Sequence, residues 1–223
     1  MNLGVIAVAL VAITSAIAAA LRHTRRDVVQ SQALTLTYAA FAGYLLVRLA
    51  ALPIPDELPI DLVLSWCGEM LGLIGGCALT VHVATGLQSM RLVRAASFSF
   101  IALAGSSVAA YVALGDGAHE LLRVLYAMCI AALLTIIGIA IIGWVTYGRR
   151  QSVTDALWGL VGLLFIAMGL IGFTFPKVGY PENHPIGWVL GVATIFLMGL
   201  TGIANHFKAT RTQRKPIPVK TAA

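Results

Sequence analysis

Charge is what this sequence has least of. Asp, Glu, Lys and Arg make up 11% of its 223 residues, against about 25% in soluble domains, and that scarcity excludes an ordinary water-soluble globule. Proline is missing from every long apolar stretch: all eight stand at 53, 55, 59, 176, 181, 185, 216 and 218, between the stretches or in the C-terminal tail. No stretch therefore carries the usual cause of a sharp helix kink. Cysteine is limited to Cys67, Cys77 and Cys129, with no CxxC pair and no metal-type spacing. Cys67 and Cys77 on one helix stand about 15 Å apart along the axis, too far for a disulfide. All three read as small packing residues.

What remains is hydrophobic: 59% of the chain, gathered into seven stretches. They predict helices over residues 3–21, 33–52, 60–84, 95–114, 119–146, 156–175 and 186–206, each near the roughly 20 residues that cross a bilayer as a helix. A transmembrane barrel is excluded, because its strands would alternate in polarity over about ten residues. The expected fold class is all-α, a polytopic membrane bundle of seven transmembrane helices over residues 1–207, followed by a basic tail over 208–223 that is disordered or lies along lipid.

The sparse charges have an order. Arg22, Arg25 and Arg26, Arg91 and Arg94, Arg149 and Arg150, and Lys208, Arg211, Arg214, Lys215 and Lys220 occupy the first, third and fifth loops and the tail, whereas Lys177 is alone in the even-numbered loops. By the positive-inside rule the N-terminus lies outside and the C-terminus in the cytoplasm. The net charge of +6 is concentrated beside the bilayer, so anionic headgroups, not nucleic acid, are the expected partner. The first stretch ends in AIAAA but has no basic residue before it, which favours a first helix over a cleaved signal peptide. The expected location is a cell membrane, of the bacterial inner-membrane type.

Polar residues inside the stretches are the candidates for function. Glu69 falls about 13 Å into the third helix by helical rise, near the bilayer centre, where a carboxylate must be neutral or paired with a cation. Arg48 on helix two and Arg123 on helix five approach the same side of the membrane. Glu69, Arg48 and Arg123 thus form a candidate intramembrane site, either a proton or amine site or a structural ion pair. His82, Asn205 and His206 fall at a shared depth near the cytoplasmic ends of helices three and seven. They read first as an interhelical hydrogen-bonding cluster, since the sequence offers no second pair of haem or metal ligands; no cofactor is expected.

Glycines mark helix contacts. Gly68, Gly72 and Gly76 form a GxxxGxxxG stripe on helix three, and Gly187 and Gly191 repeat the spacing on helix seven. Such stripes let helices pack closely within one bundle or across a homodimer. Trp66, Trp144, Trp158 and Trp188 include three near helix ends, the place of an interfacial belt.

Catalytic signatures are absent. The AGSS stretch at 104–107 lacks the Gly-x-Ser-Gly context and matched histidine of intramembrane serine proteolysis, and helix seven has no lysine before Lys208 for a retinal Schiff base. No nucleophile and base are expected at one depth, so the chain reads as non-enzymatic.

Helices one to three and five to seven share an orientation about a single linking helix. RHTRRD after helix one parallels GRRQSVTD after helix five, and PIPDELPID after helix two parallels PKVGYPENHPIG after helix six. This three-one-three arrangement resembles the SWEET sugar transporters, although the chain has no Pro-Gln pair, which those proteins carry in each repeat. The overall plan also resembles the seven-helix membrane regions of bacterial, actinobacterial-type sensory and regulatory proteins. The first resemblance implies a small transporter, for which the depth of Glu69 offers a site of proton coupling. The second implies a sensory or regulatory module, or an accessory subunit of a membrane complex with a protein partner.

Overall fold

A computed structural model describes residues 3–23, 29–53, 59–89, 91–92, 94–95, 98–99, 101–103, 105–106, 119–147, 153–174 and 185–213. The protein is all-helical. The elements are α1 (Leu3–His23), α2 (Val29–Ala51), α3 (Pro59–Gly86), α4 (helical at the described positions within 91–106), α5 (His119–Tyr147), α6 (Val153–Thr174) and α7 (Pro185–Gln213). Among the described residues, six of them contain windows long and apolar enough to cross a membrane. Much of the expected fourth helix lies outside the described residues, as do Arg25, Arg26, Arg149, Arg150, Lys177, Arg214, Lys215 and Lys220.

Helix ends follow local chemistry. Pro59 and Pro185 open α3 and α7, where a missing N–H costs nothing. Asp155 stands in the first turn of α6, and Arg22 and His23 in the last turn of α1, each complementing the helix dipole. Two boundaries differ from expectation. Helix α2 begins at Val29, before position 33, and α7 continues past 206 to Gln213; neither QSQ nor KATRTQ contains a glycine or proline to stop a helix. The end of α3 is a Schellman motif: the N–H of Ser89 donates to the Ala84 carbonyl at 2.9 Å and that of Gln88 to Thr85 at 3.1 Å, with Gln88 left-handed at φ 56°. The Ser89 hydroxyl then accepts from the Leu92 N–H at 3.4 Å, in the manner of an N-cap.

Six helices close a ring in the order α1, α2, α3, α5, α6, α7, with α7 returning to α1 and also touching α2. Contacts along the seams give the directions. Gly68 faces Arg48, Gly72 faces Tyr44 and Gly75 faces Phe41, so residue numbers rise on α3 as they fall on α2 and the pair is antiparallel. Gly76 faces Ile137 and His82 meets Trp144, so α3 and α5 run parallel. The two triplets α1–α2–α3 and α5–α6–α7 therefore occupy equivalent arcs of the ring, joined head to tail by the α3–α5 and α7–α1 seams.

Large apolar side chains point outward, among them Leu10, Ile13, Ile101, Ile139, Leu163 and Val189, each more than half exposed. The interior is built from small and hydroxyl-bearing residues together with Tyr38, Leu45, Leu79, Ile141 and Met198. Buried Thr37, Thr80, Thr194 and Thr201 donate to carbonyls three or four residues back in their own helices, which lets a hydroxyl enter the core with its donor satisfied.

Candidate functional site

Inside the ring lies a cavity of about 150 Å³. Five helices wall it: α2 through Phe41, Tyr44 and Leu45, α3 through Glu69, Gly72, Leu73 and Gly76, α5 through Ile130 to Ile137, α6 through Phe165 and Met168, and α7 from Gly187 to Ile195. Gly187 and Trp188 open α7, and Glu69 lies in the first half of α3. The space therefore runs from near the starts of these helices to about their middle.

The opposite end of the ring is closed by two aromatic contacts. On one side His82 of α3, Trp144 of α5 and Trp158 of α6 form a triangle, with ring centroids at 5.5 Å for His82–Trp144, 6.2 Å for His82–Trp158 and 5.8 Å for Trp144–Trp158. Two of the three contacts are edge-on, a favoured arrangement for aromatic pairs. On the other side Tyr38 of α2 lies against Gly202 of α7, so closely that a methyl group on Gly202 would come within 2.8 Å of the tyrosine hydroxyl. Gly202 admits the tyrosine and lets α2 reach α7 across the ring.

Glu69 is the carboxylate in the cavity wall. By helical rise it is about 15 Å along α3 from Pro59, and its side chain is half-buried. Arg48 comes to the adjoining position: its Nε is buried and lies 3.7 Å from where a Cβ of Gly68 would stand, and its guanidinium carbon is 5.6 Å from the centroid of Tyr44. The absence of a side chain at Gly68 makes room for that guanidinium. The structure thus brings Arg48 and Tyr44 to the α2–α3 seam beside Glu69, and Tyr44 and Glu69 share the cavity wall. The Arg123 side chain lies outside the described residues.

The other candidates separate. His82 is buried and packs on the two tryptophans, whereas the ring contact of His206 is Phe207 on its own helix, at 5.9 Å. Helices α3 and α7 stand across the ring from each other, with Asn205 half-buried on α7. Trp158, expected in an interfacial belt, is buried, and Trp144 is half-buried beside it, while Trp66 and Trp188 are partly exposed. Among the described residues no group of three or more His, Cys, Asp or Glu side chains is placed to hold a metal ion. Cys67 and Cys77 are half-buried and Cys129 is exposed, none of them in a disulfide.

The glycine stripes also have an unexpected role. Gly72, Gly76, Gly187 and Gly191 line the cavity, and the nearest atoms to Gly72, Gly76 and Gly191 are side chains of Tyr44, Ile137 and Met168 at 3.7–4.0 Å from a virtual Cβ. They make space for a void. The close backbone approach is on the α5–α6 seam, where a Cβ on Gly138 would meet the Gly162 carbonyl oxygen at 2.5 Å, and one on Gly169 would collide with the Thr135 hydroxyl and stand 2.7 Å from the Ala131 carbonyl oxygen. Gly138 has no GxxxG partner on its own helix, so spacing gave no signal for it. Tyr38 and Gly202 were likewise invisible as a pair, because the contact joins helices far apart in sequence.

Compared with family models, curated proteins and solved structures, the chain matches none.

Proposed function

We propose that this protein is inserted in a cell membrane as seven helices, N-terminus outside and basic end in the cytoplasm, and that it works without catalysis as a ligand-responsive sensory or regulatory module. Support for insertion comes from six long apolar helices and from the leucines, isoleucines and valines that cover the ring's outer surface. In water such a surface would drive aggregation; in lipid it is the expected exterior. The observation that carries the functional reading is the cavity, apolar except at a few points, with a carboxylate in its wall and an aromatic closure at its far end. A mostly apolar pocket with few convergent polar groups is the usual form of a small-molecule site. In the proposed orientation the cavity lies toward the outer face and the closure toward the cytoplasm.

A second reading, a small transporter coupled to protons through Glu69, is favoured by the equivalent arcs of the two helix triplets around the cavity, since repeats that rock about a central site are a transporter plan. Purification from the native host in mild detergent, with the intact mass and contents of the particle, tests the choice. A stoichiometric protein partner supports the regulatory reading or the related accessory-subunit role. A particle holding this chain alone, together with uptake into proteoliposomes that Glu69→Gln abolishes, overturns it in favour of transport.

A further inference from the structure

The size and polarity of the cavity narrow its ligand. A volume of about 150 Å³ matches an engineered apolar cavity of the same volume that accepts benzene, so the space holds one six-membered ring and little more. Around it Phe41, Phe165, Ile137 and Ile195 offer only carbon surface. The polar groups are unequal. Thr194 gives its proton to the Leu190 carbonyl at 2.7 Å, and its oxygen lies 3.7 Å from the Met168 sulfur. Tyr44 presents a ring that already has the Arg48 guanidinium carbon over it, 5.6 Å from its centroid. Glu69 brings the one carboxyl group among the lining residues, and no lining residue is basic.

An anionic ligand would meet Glu69 as a like charge in an apolar enclosure. A neutral ligand would offer Glu69 only uncharged donors, which make weaker hydrogen bonds. A ligand with one ammonium group offers donors to Glu69 in charge-assisted hydrogen bonds, which are stronger than neutral ones, and its positive charge would stand near the faces of Tyr44 and Trp188, where aromatic rings attract cations. Arg48 adjoins Glu69 from the α2–α3 seam and is not itself a lining residue, so the two cations approach the carboxylate from different sides.

We infer that the cavity binds a small amine with a single-ring hydrophobic body, its ammonium on Glu69 and its ring between Phe41, Phe165 and Ile195. This rests on the reading of the cavity as a ligand site.

The experiment compares three probes of one shape on the full chain in lipid nanodiscs by calorimetry: 2-phenylethylamine, 2-phenylethanol and 3-phenylpropionate. The wild type is expected to bind the amine at least about tenfold more tightly than the alcohol, as one charge-assisted hydrogen bond warrants, and to exclude the acid. In Glu69→Gln the preference of amine over alcohol should fall to about one while the alcohol's affinity is kept. Gly191→Leu, which fills the cavity, should lose both ligands. Equal binding of amine and alcohol by the wild type would overturn the amine assignment and leave the ligand-site reading standing. Failure of all three probes to bind at millimolar concentration would overturn both. The comparison among probes needs only the wild type, so it decides the question even where a Glu69 or Gly191 variant does not fold.

Discussion

Gln88 bears the clearest local strain. Its φ of 56° puts a side chain where the left-handed conformation costs a residue with a Cβ about 1–2 kcal/mol, and it persists because the Schellman bonds to Ala84 and Thr85 and the Ser89 cap turn the chain from α3 toward α4. Gln88→Gly is expected to raise stability by about 1 kcal/mol, read as a higher unfolding temperature in detergent; an unchanged or lower one would mean that the turn is not held in this form. Ser15 is a different residue-scale cost. It is fully buried, and its Oγ has no hydrogen-bond partner among the described residues. An orphaned buried hydroxyl is unfavourable, so Ser15→Ala should be neutral or stabilising by the same thermal assay. A clear loss would reveal a bound water or partner at that point. Glu69 was legible at this scale from sequence, because a carboxylate in an apolar run stands out whatever surrounds it. Tyr38 and Trp158 were not, since one aromatic among many apolar residues does not announce which side of its helix faces the ring's interior and which faces outward.

At the scale of the helix, the glycines divide by what a methyl group would meet. Gly169→Ala drives a carbon into Thr135 and the Ala131 carbonyl, backbone that cannot step aside, and should cost about 1–3 kcal/mol or more as overpacking. Gly143 on the neighbouring helix has nothing within 4 Å of a virtual Cβ, so Gly143→Ala should be harmless or stabilise by up to about 1 kcal/mol through helix propensity. Comparing unfolding temperatures of the two variants tests the α5–α6 seam; equal effects would count against it. Six of the helices were legible from apolar runs, with ends within four residues except where α7 runs on from 206 to Gln213, for composition and length decide them almost alone. The seams were less so. Spacing shows which glycines share a face, and Gly68, Gly72 and Gly76 do, but whether that face meets a backbone, an arginine or an empty space depends on helices elsewhere in the chain.

For the whole molecule, the feature that sequence left open is ring order. The seam between α1 and α7 brings Gly199 against Thr14, where a virtual Cβ lies 3.0 Å from the threonine methyl. Cysteines at these two positions fall within the Cβ separation of a disulfide, about 3.5–4.5 Å. With Cys67, Cys77 and Cys129 replaced by Ser, Thr14→Cys with Gly199→Cys is therefore expected to cross-link under mild oxidation in membranes, keeping the two halves joined after proteolysis at an inserted central site. Halves that separate would show that the ring is open at this seam.

That seam also bears on how the protein is made. Helix α1 is synthesised before α2 to α6, yet one of its two ring neighbours, α7, is made only after them. Throughout the synthesis of α2 to α6, the face of α1 that carries Ser15 has no α7 to cover it. The newborn chain must therefore leave that hydroxyl without its α7 cover until Gly199 arrives. The ring closes only when α7 has been made, and a product halted before it would present an unfinished α1 edge.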